Sequence, residues 1–561
     1  MNILQTPAAC SVQVDGELIK YDISYVELKQ YVDDHHVLKV RIRDVGKVSA
    51  DQDFDDPSQY TGFLGKPISV NIKPSGGTVT ESRELSFVGL VTEIQLENSV
   101  DGINIVRVIA KSPTVSMDGA KCNAFFHDQG ASDIISSIIG NYQITKGTVD
   151  STSGQYEFNV QKGESDYEYL MRLATAKGLF AFYDGSEFRA VKAAAKSSET
   201  EELIWRETLG AFTVGLGTTP PNYASTSYNY VQSKSFTQDS ESLSSAASIS
   251  GVASVVPDAS KEIFPKSSYI EKGAVDDAQS LDESLKVNQS IALGGMVRCS
   301  GQSIVPAVAI GHCIKITGMD QFDSQYWVTE LKHVFDEGGK YHNEFVCSPV
   351  DTAAPQYKAK RKPATSLQSA VVVDNNDTEG LGRIKVRFHW LDGSETCWLR
   401  VVSPHAGNGH GWVSLPEIDD EVLVGFENGN PNYPVALGSL YTKDNAPPDD
   451  SKDSDNNVKM FITKGGNVFS IGDAGGSEAI TLSQGDNSLV LSLDGPKITI
   501  ESKGGDISIK AANIKMEADQ NFEVKSGQMK LDGGQTLEIT GMQSKYSGQM
   551  VEVSGSMVKI N

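Results

Sequence analysis

The sequence predicts a mainly β protein: β-barrel domains with a few helices, a second small barrel, and a C-terminal β-prism wound from three copies of the chain. Three observations lead there. Apolar and polar residues alternate through most of the first 440 positions, and helical periodicity is confined to short stretches. The last 120 residues hold no Trp, Cys, His or Arg and repeat a two-residue apolar motif about every eight positions.

Length and composition bound the rest. A chain of 561 residues is too long for one core. The segments read as residues 1–365, 366–445 and 446–561. No apolar run approaches the ~20 residues that span a bilayer. The opening MNILQTPAACSVQVDG has no basic stretch followed by a long apolar one, so no signal peptide is expected and synthesis and assembly are placed in the cytoplasm. Cys10, Cys122, Cys299, Cys313, Cys347 and Cys397 are scattered, without CxxC pairs or zinc-ligand spacing, and read as reduced structural thiols. A formal charge of −24 argues against a nucleic-acid partner, which clustered Lys and Arg would bind.

In the first segment, Val37, Leu38, Val40 and Ile42, then Phe87, Val88 and Val91, then Ile103, Ile105 and Val108 mark short strands. Ile134, Ile135, Ile138 and Ile139 lie on one face of a helix over 131–140. Ser165 and Glu168 have capping-box spacing ahead of a helix whose buried stripe is Leu170, Leu173 and Ala174, stopped by Gly178. The Ser-rich stretch over 232–262 reads as a loop or linker, and a helical run follows near 274–293. The adjacent His35 and His36 read as solvated or interface residues.

From 381 the pattern is a compact barrel of about five strands. LGRIKVRFHW sets Ile384, Val386, Phe388 and Trp390 against Arg383, Lys385, Arg387 and His389; CWLRVV, GWVSL and EVLVGFE supply further strands. The basic face lacks interleaved exposed aromatics, so oligonucleotide binding is not favoured. His405 and His410 flank AGNG without further ligands and read as loop residues. Glu417, Asp419, Asp420 and Glu421 sit at a turn before a strand, not across a cleft. No catalytic, cofactor-binding or metal-binding residue is expected.

The tail carries the strongest pattern. Its pairs are Ile498 with Ile500, Ile507 with Ile509, Ile514 with Met516, Phe522 with Val524, Met529 with Leu531, Leu537 with Ile539, Val551 with Val553, and Val558 with Ile560. Up to Leu537 they start 9, 7, 8, 7 and 8 residues apart. Spacing of i, i+2 sends both members to one side of a strand. Repeats of eight are too short for a solenoid coil of about 20 residues, so three chains winding together, each giving one side, is the expected solution. These sixteen residues are the expected trimer core. Closure among chains also pairs the strand edges a lone copy would expose.

Three stretches resemble the VgrG-type spike proteins of contractile injection systems, relatives of fused phage hub and spike proteins. These are KGESDYEYLMRLATAKGLFAFYDG, YWVTELKHVFDEGGKYHNEF (326–345), and LGRIKVRFHW with CWLRVV through GSLY (397–441). With the repeats they cover the chain in the family's order. At Glu417, Ile418 and Asp419 the family usually has a basic residue, Ile and Gly. The resemblance implies a homotrimer whose hub of two related barrels caps a hexameric inner tube. It implies an OB-fold collar, baseplate partners, a needle that pierces a target membrane, and a PAAR-type tip protein on Val558, Lys559, Ile560 and Asn561. The implied role is mechanical and not enzymatic; a carried cell-wall hydrolase or a receptor-binding trimeric fibre are the alternatives.

Overall fold

Alternation in the first 111 residues puts one apolar row on one side of each strand, and the resulting sheet curls until it closes. Strands Thr6–Val14 (β1), Asp22–Tyr31 (β2), Val37–Asp44 (β3), Pro67–Pro74 (β4), Leu85–Asn98 (β5) and Asn104–Lys111 (β6) run in the order β1-β4-β5-β6-β3-β2. Ser324–Phe335 (β7) and Lys340–Pro349 (β8) return from far along the chain, β7 on β2 and β8 on β1, and pair with each other to complete an antiparallel ring. Val26, Leu28, Leu38, Ile42, Val70 and Phe87 fill it. In this computed structural model the described residues are 4–44, 58–75, 84–98, 104–192, 200–243, 249, 251–270, 278–350, 357, 366–390, 393–492, 495 and 497–560. Ile103 and Asn561 lie outside them.

The β7–β8 hairpin also belongs to a second barrel. Strand Val297–Ser303 pairs with β8 and Leu209–Leu216 with that strand, while Cys313–Thr317 pairs with β7 and Thr200–Ile204 with it in turn. A bridge from Trp205 to Leu209 brings the two free edges together. Trp327, Val328, Phe345, Cys299, Cys347 and Ile314 form its core. The chain thus carries β-barrel domains with a few helices, as the alternation predicts.

Helix Ala131–Gly140 (α1) buries its four isoleucines in the first core. In Asp166–Ala176 (α2), Ser165 Oγ accepts from Glu168 N at 3.1 Å and Glu168 Oε2 accepts from Ser165 N at 3.1 Å, the reciprocal cap that the spacing predicts. Gly178, at φ +70°, follows its end. The later helical run is Ala278–Met296 (α3). The Ser-rich stretch departs from expectation: Lys234–Asp239 is a strand antiparallel to Tyr223–Asn229, and Val256–Ile263 is a helix, although residues 244–248 and 250 lie outside the described set. Val256 and Ser260 face the second barrel, where Ser260 Oγ reaches Met296 Sδ, so tertiary packing holds a helix that composition argued against.

His35 and His36 are buried, against the expectation of a solvated place. His36 Nε2 meets the Tyr31 carbonyl oxygen at 3.2 Å and its Nδ1 meets Gln30 Nε2 at 3.2 Å. Gln30 Oε1 meets His333 Nε2 at 3.2 Å, and His333 Nδ1 meets the Tyr341 hydroxyl at 2.6 Å, so one polar chain stitches β2 to the shared hairpin. Burial pushes His36 and His333 from 6.5 down to about 3. Between those values the unfolded chain takes up protons that the folded chain refuses, so stability falls as pH drops through 6.5 toward 3. At about pH 4.5 the loss is on the order of 3 kcal/mol per histidine. Thermal melts followed by tryptophan fluorescence should show a lower Tm at pH 4.5 than at pH 7.5. His333→Gln should flatten that dependence; equal slopes would refute the assignment.

The small barrel comprises Gln368–Asp374 (β9), Lys385–Phe388 (β10), Arg400–Val401 (β11), Glu421–Phe426 (β12) and Pro434–Leu440 (β13), in the order β10-β9-β12-β13-β11. Ile384 N donates to Leu399 O at 3.0 Å and Leu399 N to Ile384 O at 2.7 Å, which closes the ring. Ile384, Val386, Phe388, Val422, Val424 and Ala436 point inward. Of CWLRVV and GWVSL, only Arg400–Val401 and Gly411 lie in ladder strands.

A two-stranded sheet, Cys122–Gly130 with Gln155–Glu164, joins the large barrels to the small one. Phe125 lies 5.5 Å from Trp390 and 6.2 Å from Phe388, and Lys162 Nζ sits 3.2 Å above the Trp390 ring. Val160 N donates to Asn432 Oδ1 at 2.8 Å. Residues 1–446 therefore form one compact unit, and residues 447–561 another.

Candidate functional site

The second unit begins with a self-paired sheet. Val458–Ile462 (β14), Asn467–Gly472 (β15), Ala479–Gln484 (β16), Asn487–Ser492 (β17) and Lys497–Ser502 (β18) form an antiparallel meander in chain order. Its register aligns Phe461, Phe469, Leu482, Leu489 and Ile500 in one cross-strand row. Lys459, Ile471, Ile480, Leu491 and Ile498 form a second row. Two positions apart on each strand, both rows lie on the same face. The other face carries a mixed row of Met460, Ser470, Thr481, Val490 and Thr499.

This apolar face remains in solvent: Leu482 is 48% exposed and Ile498 69%. Beyond Ser502 the motif continues with its apolar side chains exposed, Ile509 at 62%. Among residues 503–560 no strand ladder forms within the chain. The positions between paired apolar residues are mostly charged, and Lys515 Nζ lies 2.5 Å from Glu517 Oε1. Each repeat thus has one wet and one apolar side. Fully burying such a side chain is worth about 1.5–3 kcal/mol, which makes the ridge a strong assembly surface.

The residues expected to line the prism core are not buried within one chain. Ile498, Ile500, Ile507, Ile509, Ile514, Met516, Phe522 and Val524 are all exposed. So are Met529, Leu531, Leu537, Ile539, Val551, Val553, Val558 and Ile560. The physical reason is that a ridge of two side chains per repeat has, among the described residues, no second layer of its own chain to pack against. Lys559, expected beside the tip partner, is exposed too. Reading the repeat from Ile498 onward missed Phe461, Phe469, Ile471, Ile480, Leu482, Leu489 and Leu491, which the structure places on the same face as Ile498 and Ile500. Their signal was present as i, i+2 pairs starting at 469, 480 and 489, but spaced 11 and 9 because hairpin turns consume residues.

Residues 5–337 match the family described as the Alg8 N-terminal domain, more than half of the chain. Residues 368–441, the small barrel, match the type VI secretion system/phage-baseplate injector OB domain. The Pseudomonas aeruginosa type VI secretion system spike protein VgrG5 is 30% identical over 183 residues, covering 27% of this chain and 23% of that protein. Spike protein VgrG1a of the same organism is 22% identical over 459 residues, covering 72% and 66%. The chain belongs to the Alg8 N-terminal domain family, and curated homologues of it are VgrG spike proteins of type VI secretion systems. It spans less than two thirds of the length of these curated relatives. In fold it is similar to the solved E. coli c3393 protein, a type VI secretion component described as resembling phage T4 tail proteins gp27 and gp5. That likeness has a TM-score of 0.51 at 15% identity and covers 76% of this chain and 99% of the other.

The small barrel departs from sequence expectation at one charged residue. Arg383, placed by alternation on the outer face, is buried: Nε reaches Asp377 Oδ2 at 2.9 Å and Nη2 reaches Asp377 Oδ1 at 2.8 Å. Asp377 also accepts from the backbone N–H of Glu379 at 3.1 Å and of Leu381 at 3.0 Å. The Arg383 guanidinium and these donors hold its carboxyl well below the usual carboxylate range. Asp419, where the family usually has Gly, keeps the turn at φ +73°. Glu417 N donates to Asp420 Oδ2 at 2.9 Å, so these carboxylates build a turn. His405 and His410 stand with ring centroids 5.2 Å apart. Among the described residues no three His, Cys, Asp or Glu are grouped to hold a metal, and no helix is long and apolar enough to cross a membrane.

Proposed function

We propose that the chain is the central spike of a contractile injection machine, acting mechanically and without catalysis of its own. Residues 1–365 serve as a hub that caps a hexameric inner tube and contacts baseplate proteins. Residues 366–445 form a collar, and 446–561 a needle of three intertwined chains. Val558, Lys559, Ile560 and Asn561 present the blunt end to a PAAR-type tip protein. On firing, sheath contraction drives the assembly through a target membrane. Assembly takes place in the cytoplasm and delivery with the particle.

The observation that carries this reading is the paired apolar ridge that recurs from Phe461 to Ile560 and is left largely in solvent by one chain. Contiguous apolar surface on that scale marks an interface. Three equal copies supply one because each ridge can face the other two across an axis. Similarity to type VI secretion spike proteins supports the same role. The chain should sediment at three times the mass of one copy and resist dissociation by heat. A folded, soluble monomer at micromolar concentration would refute it.

A further inference from the structure

We infer that the meander β14–β18, and not the repeats after it, sets the register in which copies of this chain assemble. The inference rests on the trimeric reading and adds which surface of the needle the copies meet on first.

The repeats cannot choose a register unaided. Their pairs start 9, 7, 8, 7 and 8 residues apart, so sliding one chain by a repeat sets each apolar pair almost where the next one was. A strand whose pattern survives a slip has a weakly specified register. Residues 503–560 also form no ladder of their own, so no strand pairing within one chain fixes their level before a partner arrives.

The meander differs on both counts. Each of its strands is held by a hairpin neighbour over five or six residues, so its face exists before assembly. That face does not repeat along its length. Phe461 and Phe469 stand opposite each other at one end, Lys459 closes one row, and aliphatic residues follow. Sliding two such faces sets an aromatic on an aliphatic or a lysine on an apolar row, which costs contact and desolvation. Strand β18 belongs to both parts: Ile498 and Ile500 end the two rows and are also the first repeat pair. Copies aligned on the meander therefore enter the repeats with all chains starting at one level, and the rest zips from there.

The test co-produces two full-length chains with different tags, one lacking residues 514–521, a single repeat. Alignment at the meander predicts mixed trimers in near-statistical proportion, their needles unequal only at the far end. Introducing Phe469→Asp and Leu482→Asp into both chains should cut the mixed trimers by about ten-fold or more, because carboxylates then replace apolar contacts on the registering face. All five tryptophans lie before residue 442, so unchanged tryptophan fluorescence verifies that the first unit stays folded. The inference is overturned if the two chains sort into separate homotrimers, or if the doubly substituted chains mix as well as their parents. Failure of either unsubstituted chain to trimerise alone would instead overturn the trimeric reading itself.

Discussion

Ile509→Asp should abolish the trimer at micromolar concentration. In the proposed needle Ile509 faces the common axis, so the substitution removes three buried aliphatic side chains, about 1.5–3 kcal/mol each. It also sets three carboxylates side by side in a dry core, where an unpaired charge costs several kcal/mol more. Neither effect can be relieved by rotamer change, since alternation on the strand fixes the side each residue faces. Lys510→Glu, one position along and on the opposite side, serves as the control and should leave assembly unchanged. Analytical ultracentrifugation distinguishes the two. A heat-resistant Ile509→Asp trimer would mean that the inward face has been assigned to the wrong residues.

The second large effect is expected in the small barrel. Asp377→Ala takes from the buried Arg383 guanidinium its two-hydrogen-bond partner, leaving it the exposed Glu379 carboxylate at 3.1 Å, and removes the acceptor for the backbone N–H groups of Glu379 and Leu381. Breaking one side of a buried pair costs about 3–5 kcal/mol. That is a large part of the stability of a small domain. The double substitution Asp377→Ala with Arg383→Met should recover much of the loss, because no charge is left uncompensated. Chemical denaturation of the three proteins, with Trp390 and Trp398 as reporters of the barrel, tests this. If the single variant were as stable as the parent, the pair would contribute little to the barrel.

How much could be read in advance depended on how local the controlling physics is. Helix α1 and the capped start of α2 were legible because their caps and apolar stripes lie within a dozen residues. The ridge from Ile498 was legible because period-two pairs recur. The pairs at Phe469, Ile480 and Leu489 escaped because hairpin turns stretched their spacing. The helix over Val256–Ile263 escaped because it is held by a barrel formed from distant segments. His36 looked solvated because the group that completes its polar chain, His333, is nearly 300 residues away.

By itself the sequence determined the mainly β class and the paired apolar repeat of the tail. Each of these follows from side-chain alternation and composition along the strand. Tertiary structure alone decided that one hairpin closes two barrels, that Arg383 turns inward to Asp377, and that the tail pairs with itself as far as Ser502. The physical reason is shared: burial and backbone pairing are settled between segments far apart in the chain, and the alternation of one strand names a face without naming what will cover it.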